Sequence, residues 1–317
     1  MENKRLAAGP LKYVICFVFV IFAAMLLTGG RKREELPGQE SAFLSSGQQT
    51  MEQESAETAE ERMTLSFINI GKGDAFLLEI PQDGYYLCDT GKAEDYPRIA
   101  ALLRQKGVKS LKGIFLSHGH KDHTGSLKFV LADFPTEYIY LSALDTVTYK
   151  SVDVPALAEE YGVHLAALTG GETLQLGAAE VQVWIPDKVY KKKGNNNSMV
   201  LRFCYGETAY LMTGDMEKKA EARLLESGWE VKADVLKLGH HGKEDSTSRK
   251  FLEKVSPKYG IITGNWEESP KSMNEKIAKR LKDCDVQAFY SEGDQLAVDF
   301  ISDGTSVWTE MVPDIGK

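Results

Sequence analysis

From Met63 onward the chain alternates short apolar runs with polar and glycine-rich punctuation. Runs rich in Val, Ile, Tyr and Phe predict strands over 64–70, 75–80, 85–88, 113–117, 138–141, 181–185, 199–205, 208–212, 235–238, 259–263, 296–301 and 306–311. Apolar spacing near 3.6 residues predicts helices over 96–105, 126–132, 154–161, 217–226, 248–255 and 274–283. Hairpins fill each half and helices fall between. This order predicts two mixed sheets packed face to face with helices outside, in a duplicated layout.

The amino terminus follows another pattern. Residues 13–30, YVICFVFVIFAAMLLTGG, carry no charge and follow Lys4, Arg5 and Lys12. Eighteen helical residues span roughly 27 Å, just enough to cross a hydrocarbon core. Residues 1–30 are therefore expected to be a signal-anchor or signal peptide. Residues 31–62 are rich in Glu, Gln and Ser without sustained periodicity, so burial cannot offset their ordering entropy. They read as a flexible spacer before a domain at 63–317. The expected location is membrane-anchored or secreted, with that domain extracytoplasmic.

Of 317 residues, 43% are apolar and 26% charged, which excludes collagen, a disulfide miniprotein and wholesale disorder. The formal net charge is −8. Residues 1–62 hold 7 basic and 9 acidic groups, leaving the domain 31 basic and 37 acidic, or −6. Such a surface argues against a generic nucleic-acid coat. Cys16, Cys88, Cys204 and Cys284 have no paired spacing and read as small apolar residues.

The histidines change the picture. Five of the six lie in two groups, His118, His120 and His123 in SHGHKDHTG and His240-His241 in KLGHHGK. The first group follows a predicted strand and precedes a predicted helix, so a loop lets alternate side chains converge. Imidazole and carboxylate are ligands of Zn²⁺ and related divalent ions, and four such groups within six residues suffice to begin two adjacent sites. His164, in YGVHLAAL, reads instead as a core or edge residue of a strand.

SHGHKDH resembles the His-x-His-x-Asp-His signature of the metallo-β-lactamase superfamily, a fold of αββα layers. FINIGKGDAFLLEI with YYLCDTG, NNNSMVLRF with YLMTGD, and ADVLKLGHHGKEDSTSRKFLEKVSPKYGIITG resemble successive blocks of competence-protein hydrolase domains of the ComEC/Rec2 type. The resemblance implies an αββα four-layer sandwich holding two divalent ions, Zn or Mn. It implies His118 and His120 on one ion and Asp122 and His123 on the other. Asp215 would bridge the ions, and either His240 or His241 would complete the second site. Asp89 would orient a histidine from behind, and Asp74 would organise a turn beside the site. Asp122 and Asp215 would be the catalytic carboxylates. Asn196, Asn197, Ser198 and Lys243 are expected to meet substrate, whereas the run Lys191-Lys192-Lys193 reads first as a solvated loop, with phosphate contact as its alternative. Ser246, Thr247 and Ser248 offer helix capping or further polar contacts. One departure stands out. Ser269-Pro270 replaces the His-Pro often found there, beside Trp266.

Two metal ions would activate a water and favour an anionic substrate, which makes a phosphodiester the expected bond: in DNA, RNA or a choline-phosphate polymer. A phosphorylcholine or teichoic-acid esterase is the near alternative to a nuclease. A non-catalytic metal-binding or sensor module is the alternative of another class.

Overall fold

The computed structural model describes residues 61–145, 148–265, 267, 270 and 275–316. The anchor and nearly all of the spacer expected above, as well as Trp266 and Ser269, lie outside these residues. Among the described residues no helix is long and apolar enough to cross a membrane.

Among the described residues fifteen strands form two mixed sheets. The first contains β1 (Met63–Ile68), β2 (Ala75–Ile80), β3 (Gly84–Thr90), β4 (Leu111–Leu116), β5 (Thr136–Ser142), β6 (His164–Leu168), β14 (Ala297–Ser302) and β15 (Val307–Val312), in the order β15-β14-β1-β2-β3-β4-β5-β6. The second contains β7 (Thr173–Leu176), β8 (Ala179–Trp184), β9 (Val200–Tyr205), β10 (Thr208–Met212), β11 (Val235–Lys237), β12 (Tyr259–Ile262) and β13 (Gln287–Tyr290), in the order β13-β12-β11-β10-β9-β8-β7. Each sheet changes from antiparallel to parallel pairing once, at β3/β4 in the first and β10/β11 in the second. That repetition realises the duplicated layout. Strands β7 and β13 were not expected from the sequence; Thr173 and Gln175 in one and Gln287 in the other are polar and exposed, so neither reads as an apolar run.

Alternation along the strands sorts the core into three layers. Phe67, Phe76 and Leu78 of the first sheet meet Val181, Phe203 and Tyr210 of the second between the sheets. Leu77 and Leu87 point the other way, onto α1 (Tyr96–Gln105), α3 (Leu127–Asp133) and α4 (Val154–Tyr161). Val200 and Leu236 likewise pack under α5 (Lys218–Glu226), α6 (Arg249–Val255) and α7 (Glu275–Asp283). The result is helix, sheet, sheet, helix.

Both parallel switch points put strand ends side by side. Cys88 pairs with Phe115 and Met212 with Lys237, so β3 and β4 end together, as do β10 and β11. Carboxyl ends of strands at such a reversal are where ligands bind in α/β sheets.

Candidate metal centre

The segment after β4 leaves the sheet, is extended at His120, and then makes one helical turn, α2 (Lys121–Thr124). The backbone amides of His123 and Thr124 both donate to the His120 carbonyl, at 3.0 Å each. Asp122 and His123 therefore project from a helical turn rather than from the loop expected for the whole run. Gly119 is required here by close approach, since a Cβ would sit 2.4 Å from the Tyr149 backbone nitrogen.

The second sheet supplies the rest. Asp215 follows Gly214, whose φ of +52° turns the chain just beyond β10. His240 and His241 both have positive φ, 48° and 55°, and this left-handed pair sends their rings in different directions. Ser246 and Thr247 hold that turn: Ser246 Oγ donates to the Gly239 carbonyl at 2.5 Å, and Thr247 Oγ1 accepts from the Gly239 amide at 3.0 Å. Ser248 caps α6 by accepting from the Phe251 amide.

Between the strand ends the side chains converge. His118 Nε2 lies 3.0 Å from His120 Nδ1 and 3.9 Å from Asp215 Oδ2. On the other side of the Asp215 carboxylate, His123 Nε2 and His241 Nε2 approach Oδ1 at 3.3 and 3.4 Å. Asp122 Oδ2 stands 3.4 Å from His241 Nε2 and pairs with Lys72. His118, His123 and His241 are fully buried. One carboxylate thus faces two imidazole groups, one through each oxygen.

A second circle of residues holds the rings. Asp89 Oδ2 is 2.8 Å from His123 Nδ1, while Ser117 donates to both Asp89 oxygens, through its amide at 2.8 Å and its hydroxyl at 2.7 Å. Asp74 is more than a turn residue. Its Oδ1 accepts from Thr263 Oγ1 at 2.6 Å, and the same hydroxyl lies 2.9 Å from His241 Nδ1. Its Oδ2 lies 2.7 Å from Lys237 Nζ. With both oxygens so engaged and facing the Nδ1 side, Asp74 orients His241 from behind. Lys237 is fully buried, and its Nζ also donates to the Gly214 carbonyl at 2.6 Å. Sequence reasoning missed it, although a lysine sharing the inward face of Val235 in a buried strand is a visible anomaly.

Other expected residues lie elsewhere. Asn196 and Asn197, expected to touch substrate, are buried instead and bonded internally. Asn196 donates to Glu217 Oε2 and accepts from the Ala220 amide, both at 3.0 Å, and Asn197 accepts from the Tyr190 amide at 2.7 Å. Ser198 is buried too, with its Oγ accepting from the Asp215 amide at 3.0 Å. These polar side chains shape the loop that fixes Asp215; none opens to a cleft. His240 turns away from the centre. Its Nδ1 lies 2.9 Å from Asp245 Oδ1, and its Nε2 lies 2.7 Å from Lys243 Nζ and 3.1 Å from Asn195 Nδ2. The geometry favours His241 over His240 as the central imidazole. Lys243, also expected at the substrate, reaches that ring at the rim. His164 sits on the exposed face of β6, 5.3 Å from the Tyr138 ring.

Charge within the cluster follows its neighbours. Burial opposes protonation of His118, and with His123 beside it the pKa falls well below the histidine range. Burial also opposes protonation of His123 and His241, but the carboxylates around them win, Asp215 foremost. His123 is pushed well above the histidine range and His241 up to about 9. Burial of Asp215 is outweighed by His241 and His123, which hold its carboxyl well below the carboxylate range. In Asp122 it is outweighed by the adjacent His241 imidazole and by the charges of His123 and Lys72.

Whether these donors suit a cation is tested by their unmet valence. His123 Nε2, His241 Nε2 and Asp215 Oδ1 are buried, converge on one point and make no hydrogen bond. Buried polar atoms left so are rare and costly unless another group completes them. His118, His120 and Asp215 form a further set of mutually close ligand atoms. Nitrogen and carboxylate donors in these numbers suit a divalent metal ion.

The sequence matches the metallo-β-lactamase superfamily over residues 68–263. The chain belongs to that superfamily. It is 28% identical over 235 residues to ComE operon protein 3 of Bacillus subtilis, covering 69% of this chain and 30% of that one. It is 30% identical over 209 residues to Recombination protein 2 of Haemophilus influenzae, covering 63% and 24%. The chain therefore spans less than a third of these relatives. Among solved structures, the E377D mutant of the β-hydroxylase CmlA aligns with a TM-score of 0.52 at 11% identity, over 76% of this chain and 53% of that one. That likeness shows the fold alone. Superfamily members are generally metal-dependent hydrolases, and the ligand sets described above lie at the shared strand ends.

Proposed function

We propose that the domain is a metal-dependent hydrolase that cleaves a phosphodiester, in the manner of a nuclease. The observation that carries this reading is the convergence of His123 Nε2, His241 Nε2 and Asp215 Oδ1, buried and unbonded, opposite a second set on Asp215 Oδ2. His118, His120 and Asp215 would hold one divalent ion, and Asp122, His123, His241 and Asp215 the other. When bound, such a pair lowers the pKa of a water and offsets charge on the attacked group. Asp215 keeps both sets in register because Ser198 anchors its amide. Asp122 stays ionised at neutral pH and is placed to accept a proton at Oδ2, where Lys72 steadies it. Asp89 and Asp74 keep the His123 and His241 rings from rotating.

Three considerations favour a phosphate ester. Imidazole ligands leave cationic charge uncancelled, which suits an anionic group. Lysines line the neighbouring cleft. One relative is named Competence protein ComA and another Recombination protein 2, names that fit a nucleic-acid substrate. The apolar run at 13–30 supports a domain tethered to a membrane and working outside the cytoplasm. Purified protein supplied with Mn²⁺ or Zn²⁺ is expected to hydrolyse bis-p-nitrophenyl phosphate with two ions per chain, and His120→Ala to abolish turnover. Two tightly bound ions without hydrolysis of any phosphodiester would favour the non-catalytic module.

A further inference from the structure

Four imidazoles converge on the centre, and three of them are held from behind at the ring. His118 Nδ1 lies 3.1 Å from Ser117 Oγ, His123 Nδ1 lies 2.8 Å from Asp89 Oδ2, and His241 Nδ1 lies 2.9 Å from Thr263 Oγ1. His120 differs. Among the described residues its ring bonds only to His118, from Nδ1 to Nε2 at 3.0 Å, and its own Nε2 lies beside the backbone of Gly194. A ligand ring with no partner behind it is aimed by its backbone. Downstream, the His120 carbonyl accepts from the His123 and Thr124 amides and from Thr124 Oγ1. Upstream, the Gly119 amide donates to Thr148 Oγ1 at 2.6 Å. Thr148 is fixed in turn by Asp145: its amide donates to Oδ1 at 3.1 Å and its hydroxyl to Oδ2. An amide can only donate, so Thr148 Oγ1 accepts from Gly119 and its one proton is left for Asp145. Both side chains are buried. Packing enforces the same arrangement. The Thr148 methyl lies so near Gly194 that a Cβ there would meet it at 2.9 Å, and a Cβ at Gly119 would meet Tyr149 Cγ at 2.5 Å.

We infer that Asp145 and Thr148 are positioning residues for His120: through the Gly119 amide they set the direction from which His120 Nδ1 joins His118 and Asp215, and so tune the affinity for the first ion alone. The inference rests on the two-ion reading of the centre and deepens it. Asp89 and Asp74 stand behind His123 and His241, the rings of the other ion. The two ligand sets are therefore tuned by different carboxylates, two acting directly on rings and Asp145 acting through a hydroxyl and a peptide amide. Groups that orient a ligand without touching the ion govern metal affinity to a degree comparable with weakened ligands. The chemistry also restricts the residue at 148. Only a hydroxyl can accept from Gly119 and donate to Asp145 at the same atom; valine has the same shape and leaves both of those buried groups unpaired.

The decisive variant is Thr148→Val, which keeps the methyl against Gly194 and every metal ligand in place. Stepwise Zn²⁺ affinities of the full-length protein are measured by competition with a chelator, with the ions counted by native mass spectrometry. One of the two constants is expected to weaken about 10- to 100-fold while the other stays within about threefold. Thr148→Ser, which keeps the hydroxyl and drops the methyl, should restore the weakened constant. Asp89→Asn should weaken the opposite constant, and the double variant Asp89→Asn/Thr148→Val should weaken both. Two unchanged constants in Thr148→Val would overturn the role. So would equal weakening of both ions alongside a lower Tm of the metal-free protein, or a loss that Thr148→Ser does not recover, since either is what a purely structural residue gives. A wild-type protein that takes up no Zn²⁺ would instead reject the metal centre itself, and this role with it.

Discussion

The two halves of the domain present the same device at their switch points and use it differently. In each, two adjacent parallel strands end together and offer a carboxylate and then histidines: Asp89 with His118 to His123, and Asp215 with His241. Asp89 still belongs to β3, and Ser117 of the neighbouring strand end takes both its oxygens, so it reaches only the back of His123. Asp215 lies beyond the strand, past the left-handed Gly214. There Ser198 binds its amide and leaves its carboxylate to the centre. A shift of a few residues past the strand end separates an orienting carboxylate from a bridging one. The halves also depend on each other, because Lys237 and Thr263 of the second half hold Asp74 of the first.

The largest test of that contrast exchanges nothing but the two carboxylates. Asp215→Ala is expected to remove both ions and lower hydrolysis by about three orders of magnitude or more, read by metal content and turnover. Asp89→Asn, at a φ of 58° that Asn also tolerates, should keep both ions at high metal concentration. Its metal affinity should fall about 10- to 100-fold, measured by competition with a chelator. Equal losses in the two variants would erase the distinction between bridging and orienting roles.

The histidine pair sharpens the comparison within the second half. His241→Ala should lose one ion of the two and most activity, whereas His240→Ala should retain both, with a change of about tenfold or less in turnover. Metal stoichiometry by mass spectrometry separates them. The link between the halves is probed by Lys237→Met, which leaves Asp74 buried without its cation. Destabilisation of about 3 kcal/mol is expected in denaturant unfolding of the metal-free protein.

The smallest effect is a dependence on pH. The pKa of His241 rises from 6.5 to about 9 on folding without metal, because the carboxylates around it outweigh its burial. That stabilisation is fully present below pH 6.5 and is lost as pH rises through about 9, so the Tm of the metal-free protein should fall over this window. Metal uptake has the opposite trend, since ligation displaces protons from His123 and His241. Calorimetry in buffers of differing ionisation enthalpy should show proton release near neutral pH. A rising Tm across the window would contradict the charge arrangement.

Much of this was legible along the chain. Every strand from β1 to β5, and most of the rest, announced itself as a short apolar run, because both faces of these strands meet packed layers. The grouping of His118, His120, Asp122 and His123 was legible because four ligands within six residues is a local fact. The sequence also showed β11 with a lysine among apolar neighbours, without showing what that lysine meets. The duplicated order of hairpins and helices predicted two sheets.

What only the tertiary structure decided is the choice among residues that look alike in line. Asn196 and Asn197 are as polar as any substrate ligand, yet they face inward because Glu217, Ala220 and Tyr190 offer them partners there. His240 and His241 are chemically identical neighbours, and the backbone dihedrals at that turn alone send one ring to Asp215 and the other to Asp245. Composition and periodicity fix which elements form, since burial acts on each residue separately. Direction, distance and the company each polar atom keeps depend on segments far apart in the chain, and those meet only once the sheets have packed.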